Sequence, residues 1–243
     1  MMILPLSEGL FVVDTVKRFA PFVQGMPRIP GTTLLAIRPF LIRMKKELIL
    51  LDTGLGRAED GQPALLRSLA DVGVHPEQIT RVILSHLHKD HTGGTGMWED
   101  GHFRPLFPGA AHYLQRREWL YARAQTGNPS YHEPTLLALE TLPNLVWLEA
   151  DAGEIADGIF YAVSGGHTPF HQTIRLEEDG ETIFYAADEI PMAVYLDQNS
   201  AYKNDFDGRI ARENRREWKE QAMAEGRTFL FYHDRRLPFK ALP

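Results

Sequence analysis

The decapeptide SHLHKDHTGG, residues 85–94, places His86, His88, Asp90 and His91 within six positions. Imidazole nitrogens and carboxylate oxygens are donors that borderline divalent cations take: zinc first, with iron and manganese also accepted. The run follows Arg81–Leu84, an apolar, β-branched stretch that reads as a strand. Alternate residues of an extended backbone point to one side, so His86 and His88 can reach one metal together. A turn at Lys89 lets Asp90 and His91 face a second metal nearby. Gly93 and Gly94 permit a tight turn and close backbone approach. The isolated histidines His75, His102, His112 and His132 read as structural or surface residues. The chain has no cysteine, which excludes disulfides, a thiolate nucleophile, thiolate zinc sites and protein-ligated iron–sulfur clusters.

The elements that must position these groups are mostly strands. Strand-like runs cover Leu10–Val13, Thr33–Ile37, Leu48–Leu51, Arg81–Leu84, Ala111–Gln115, Asn144–Leu148, Phe160–Val163, Thr173–Leu176, Thr182–Ala186 and Thr228–Tyr232. Helical patterns cover Pro63–Val72, Arg116–Ala124 and Asp207–Glu225. In the last of these, Ile210, Trp218, Ala222 and Met223 share a face and Gly226 is the C-cap. Strands punctuated by helices predict a layered α/β protein. Two stretches, Arg18–Thr32 and Ala124–Pro134, read as long loops suited to walling a pocket.

With 243 residues the chain suits one large domain or two small ones. Its charge of −6 lacks the basic surface of a nucleic-acid binder, and Arg212, Arg215 and Arg216 read as a solvated helix face. The N-terminal MMILPLSEGLFVVD has no basic segment, and Pro5 and Glu8 interrupt it. It reads as a first strand rather than a leader. No apolar run is long enough to span a membrane, so no membrane partner is expected and the cytoplasm is the default compartment.

SHLHKDHTGG resembles the H-x-H-x-D-H signature of the metallo-β-lactamase superfamily. LLDTG with Asp52, GGHTPFHQ with His167, FYAAD with Asp188 and FLFYHD with His233 resemble that family's remaining motifs, in its order. The resemblance implies a single domain over residues 1–243, a four-layer αββα sandwich with two divalent metal ions at one edge. It implies that His86, His88 and His167 hold the first metal and that Asp90, His91 and His233 hold the second. Asp188 would bridge them, with the adjacent Glu189 as competitor. Asp52 reads as a carboxylate that orients a ligand histidine. His171 either supports the site or packs. Gly165-Gly166 and Ala187 depart from the family's usual Pro-Gly-His-Thr and Gly-Asp, which bears on the branch and removes no ligand.

Two cations bridged by a carboxylate also bridge a water, lowering its pKa so that hydroxide forms near neutral pH. That hydroxide attacks an electrophilic carbon or phosphorus. Asp90 is the candidate proton shuttle. Tyr195 is the candidate oxyanion donor, with Tyr232 and Tyr113 behind it. The chain is most similar to the lactonase and glyoxalase II branch, which implies hydrolysis of a small ester or lactone. Phosphoester or thioester hydrolysis and mononuclear-iron persulfide dioxygenation are the alternatives. The substrate is expected to be a small molecule chosen by residues 18–32, 120–140 and 190–206. Phe19, Phe22, Met26, Trp119, Tyr131, Met192 and Tyr195 would supply apolar contact there, and Arg18, Arg28, Arg123 and Lys203 positive charge. A homodimer is common in the resembling branch, but no heptad or exposed apolar strip marks one here.

Overall fold

Leu48–Leu51 shows how the layers arise. Leu48 and Leu50 face one core, Ile49 and Leu51 the other, and all four are buried. A continuously apolar strand of this kind belongs inside a sheet covered on both faces. The same alternation runs through Phe40-Leu41-Ile42 and Val82-Ile83-Leu84. The structure, a computed structural model, describes Met1–Pro243.

Two six-stranded sheets result. The first runs in the order Met2–Pro5, Phe40–Arg43, Leu48–Leu51, Arg81–Ile83, Ala111–Gln115, Leu145–Leu148. Its first three strands are antiparallel, and the pairings from Leu48–Leu51 onward are parallel. The second runs in the order Ala152–Ala156, Ile159–Val163, Gln172–Glu178, Glu181–Tyr185, Arg227–Leu230, Phe239–Leu242. Its one parallel pairing, between Glu181–Tyr185 and Arg227–Leu230, is crossed over by the helix Gly208–Glu225. Ile49, Leu51 and Ile83 of the first sheet pack between the sheets against Ile174, Leu176 and Tyr185 of the second. The helices Ala64–Asp71, Arg116–Ala124 and Glu133–Leu139 cover the outside of the first sheet through Leu65, Leu69, Ala122, Leu136 and Leu139. Trp218 and Ala222 of Gly208–Glu225 cover the outside of the second, on Phe184 and Phe229. This is the αββα order. Each fully buried Leu or Ile contributes roughly 1.5–3 kcal/mol, so the three apolar layers hold the sheets at a fixed spacing.

Every strand-like run read from the sequence forms a strand, with ends shifted by a residue or two. Other strands carry weaker signals: Met2–Pro5 and Phe239–Leu242 are sheet edges, where Pro5 is tolerated because an edge N–H needs no partner. Phe19–Pro21, inside a stretch expected to be loop, pairs with Gly9–Val13. The last helix corrects two expectations. Ile210 and Met223 are exposed, and the buried face is Ala211, Arg215 and Ala222. Arg215 is therefore not on a solvated face. Its guanidinium donates to the carbonyls of Glu189 (3.0 Å) and Ser200 (2.6 Å), tying the helix to the loop after Asp188.

Candidate metal centre

The candidate groups all lie just beyond the C-terminal ends of strands, at one rim of the sandwich. Asp52 follows Leu48–Leu51, residues 85–91 follow Arg81–Ile83, and His167 follows Ile159–Val163. Asp188 follows Glu181–Tyr185, and His233 follows Arg227–Leu230. Rigid strands thus hold a site built from loops.

Two clusters form. In the first, His88 Nδ1 lies 2.9 Å from His86 Nε2 and 3.2 Å from His167 Nε2. His167 Nε2 is 3.3 Å from Asp188 Oδ2. In the second, Asp188 Oδ1 lies 3.2 Å from His91 Nε2 and 3.1 Å from His233 Nε2, and Asp90 Oδ2 is 3.6 Å from the latter. One carboxylate therefore faces both clusters, one oxygen to each. A tetrahedral cation with ligands at 2.0–2.1 Å separates them by about 3.3 Å, close to these spacings. His91 Nε2 and Asp188 Oδ1 are buried and have no hydrogen-bond partner. Buried polar atoms are seldom left so. The donor set fits a pair of divalent cations.

The opposite ring nitrogens are held. His91 Nδ1 donates to Asp52 Oδ2 at 2.7 Å, and His233 Nδ1 donates to the Ala36 carbonyl at 2.7 Å. His167 Nδ1 lies 3.1 Å from Asp205 Oδ1. His86 Nδ1 is 3.1 Å from Ser85 Oγ, which donates to Asp52 Oδ2 at 2.7 Å. Such contacts fix the tautomer and leave Nε2 free as a lone-pair donor. Asp52 also accepts from the Ser85 N–H (2.7 Å) and, across the sandwich, from the Tyr185 hydroxyl (2.6 Å). It is fully buried and adopts a left-handed backbone, φ 55°. Gly93 and Gly94 let the 85–94 segment close onto this loop: a Cβ on either would collide with the carbonyl of Leu55 or Thr53.

Burial pushes the His86 and His88 imidazoles well below their usual range, so both are neutral donors. Burial also acts to lower His91, but Asp188 and Asp52 outweigh it and hold that imidazole well above its usual range. His167 is raised against burial in the same way by Asp188 and Asp205. Positive charge is favoured between these carboxylates. Burial alone would raise Asp188, yet His233, His91 and His167 hold it well below the usual carboxylate range.

Several sequence expectations are sorted by position. Glu189 does not compete with Asp188: Oε1 accepts from Gly166 N (2.8 Å) and Oε2 from Asn214 (2.9 Å). His171 is buried under the first cluster, its ring 5.1 Å from that of His86 and its Nδ1 2.9 Å from Ser164 Oγ; burial lowers it to about 3. It packs outside both clusters. Tyr232 donates to the Asp90 carbonyl at 2.6 Å and stacks on His91, so it is a strut and not an oxyanion donor. Tyr113 is buried against Arg81, away from the clusters.

A cavity of about 130 Å³ opens over the clusters. Phe19, Met192 and Tyr195 line it as expected; Phe22, Met26, Trp119 and Tyr131 do not, and neither do the basic residues Arg18, Arg28, Arg123 and Lys203. Tyr195 stacks on Tyr202 at 4.2 Å between ring centres. Asp205, Lys17 and Glu118 were not singled out from sequence. Asp205 lies in a polar loop with no motif spacing. Glu118, on the helix Arg116–Ala124, is buried and accepts from the Thr168 hydroxyl (2.8 Å) and the Leu87 N–H (3.4 Å). It ties the loop between His86 and His88 to the one after His167.

A family model described as the metallo-beta-lactamase superfamily matches residues 33–227. An N-acyl homoserine lactonase from a Bacillus species is 29% identical over 234 residues, 84% of each chain. The N-acyl homoserine lactonase AttM of Azorhizobium caulinodans is 33% identical over 135 residues, 51% of this chain and 45% of that one. Among solved structures, a probable metal-dependent hydrolase from Staphylococcus aureus superposes with a TM-score of 0.79 at 20% identity, covering 99% of this chain and 91% of that one. AidC, described as a dizinc quorum-quenching lactonase, superposes at 0.74 and 20% identity, covering 98% and 88%. Fold, donor set and relatives together define a metal-dependent hydrolase. The chain belongs to the metallo-beta-lactamase superfamily.

Proposed function

We propose that this chain hydrolyses a small ester or lactone at a two-metal centre, with zinc as the first choice of ion. The observation that carries the reading is Asp188, whose Oδ2 faces His167 and whose Oδ1 faces His91 and His233. His86, His88 and His167 would hold one ion, Asp90, His91 and His233 the other, and Asp188 both. Bound there, the ions would polarise a carbonyl and acidify a water. The intact second cluster favours this over a mononuclear dioxygenase. Lactonases among the relatives favour carbon over phosphorus as the electrophile.

The protein's own groups then divide the work. The water oxygen bonds to the acyl carbon, the acyl C–O bond breaks, and the leaving oxygen needs a proton. Asp90, on the cavity wall, would pass it on. Tyr195, on the same wall, offers its hydroxyl to the oxygen that gathers charge. Burial raises its pKa, with Tyr202 and Asp188 adding to the effect, so it stays a protonated donor at neutral pH. Phe19, Val13 and Leu35 give the cavity apolar lining.

The test compares His88→Ala with His132→Ala on a panel of γ-lactones, with turnover read as acid release. His132 lies outside both clusters, its Nδ1 2.8 Å from Thr135 Oγ1. His88→Ala should lose at least about a thousandfold in rate and His132→Ala should stay within about twofold. Equal activity in the two variants would sink the assignment.

A further inference from the structure

Lys17 is held in an unusual place. It closes the hairpin between Gly9–Val13 and Phe19–Pro21, where Asp14 Oδ1 accepts from the Val16 N–H (3.0 Å) and the Arg18 N–H (2.9 Å). Its backbone is left-handed, φ 58°, a position that turns of this kind usually give to glycine or asparagine. Lysine adopts this conformation less readily than either. The nearest acid in sequence is already taken: Asp14 Oδ2 pairs with Arg18 Nε at 2.7 Å. Lys17 lines the cavity together with His88 and has no ion-pair partner.

The surrounding charges favour an anion. Lys89 lies over the face of Phe19 at 5.6 Å and is not part of the cavity lining, so Lys17 is the ammonium on this wall. The cavity's acids, Asp90, Asp188 and Asp205, already face His233, His91, His167 and Arg215. A lone ammonium balances one negative charge, which suits a carboxylate better than a phosphate dianion. The cavity is small, about 130 Å³. An apolar cavity of about 150 Å³ holds benzene, so a ring-sized core fits and a long acyl chain would have to lie outside.

We propose that Lys17 is a specificity-determining residue that takes a carboxylate carried by the substrate beyond the scissile acyl group. This deepens the ester and lactone reading above and rests on it. The preferred substrate class is then a short anionic lactone or ester.

The probes are 5-oxotetrahydrofuran-2-carboxylate and its neutral carboxamide, with metal-loaded full-length protein. Wild type should favour the carboxylate by about tenfold in kcat/KM, carried by KM, equivalent to about 1.4 kcal/mol. Lys17→Met should bring the ratio close to one, and Lys17→Arg should restore most of it. No preference in wild type, or an unchanged preference in Lys17→Met, overturns the proposal while the hydrolase stands. Turnover of neither probe, nor of the wider lactone panel, refutes the lactone reading instead. Calorimetric binding of the two ring-opened products to wild type and Lys17→Met then decides the Lys17 proposal: a carboxylate preference lost in the variant supports it, and equal binding overturns it.

Discussion

Replacing Asp52 by asparagine should separate the carboxylate's part in the fold from the part of the metal donors. Four donors converge on it: Ser85 N–H on Oδ1, and Ser85 Oγ, His91 Nδ1 and the Tyr185 hydroxyl on Oδ2. An amide has only one acceptor oxygen. With its Nδ2 at the Oδ1 position, one bond is lost and an N–H faces the Ser85 N–H; with Nδ2 at the Oδ2 position, three bonds are disturbed. The first arrangement is milder. Losing one bond to a charged group costs about 1.5–3 kcal/mol, and the three remaining bonds weaken from charge-assisted to neutral. The sum is roughly 3–5 kcal/mol, and at about 2–4 °C per kcal/mol for a chain of this size the melting midpoint should fall by roughly 6–20 °C. Because the bond that orients His91 loses its charge, affinity at the second cluster should drop, by up to about 10–100-fold. Thermal melts of the metal-free and loaded forms, with chelator competition, read both effects. A midpoint within about 2 °C of wild type together with undiminished affinity would refute the account of Asp52 as the hub of the site.

Burial raises the Glu118 carboxyl from 4.5 to about 7. Its proton is bound more tightly in the fold than in the unfolded chain, so its stability contribution is greatest at low pH and is lost as pH rises through that window, by up to roughly 3 kcal/mol. Glu118→Gln can accept from Leu87 and donate to Thr168, so the stability difference between variant and wild type should shift in the variant's favour between pH 4.5 and 8; parallel denaturant curves at the two pH values would contradict this. Gly94→Ala puts a methyl against the Thr53 carbonyl, so the 85–94 segment must shift. Reduced metal content in a still-folded protein is expected, and full metal content with normal stability would show that the close approach is not needed.

The sequence displayed the parts of this site that depend on spacing along the chain. His86, His88, Asp90 and His91 are legible because one short loop carries them after one strand, and the strands that deliver His167, Asp188 and His233 have strong apolar signatures. The groups that orient them are less visible because they act across the fold. Asp205 reaches His167 from 38 residues away, and Glu118 reaches Thr168 from 50. Neither distance leaves a periodic trace. Arg18 and Lys17 read alike in sequence, and only the hairpin's turn decides that Arg18 pairs with Asp14 while Lys17 enters the cavity. Arg215 resembled a surface arginine because its partners are main-chain carbonyls, which have no sequence signature. Tyr185 lies within a strand-like run and Tyr232 ends one, but nothing in the sequence shows that their hydroxyls brace Asp52 and the Asp90 backbone.

The central claim is that Asp188 joins two metal sites. It is tested most directly by elemental analysis of metal per chain, for wild type and Asp188→Asn, on protein purified without added metal or chelator. The account predicts about two equivalents of zinc, iron or manganese in wild type and a loss from both sites in the variant. About one equivalent of iron in wild type, or none after reconstitution, would contradict it.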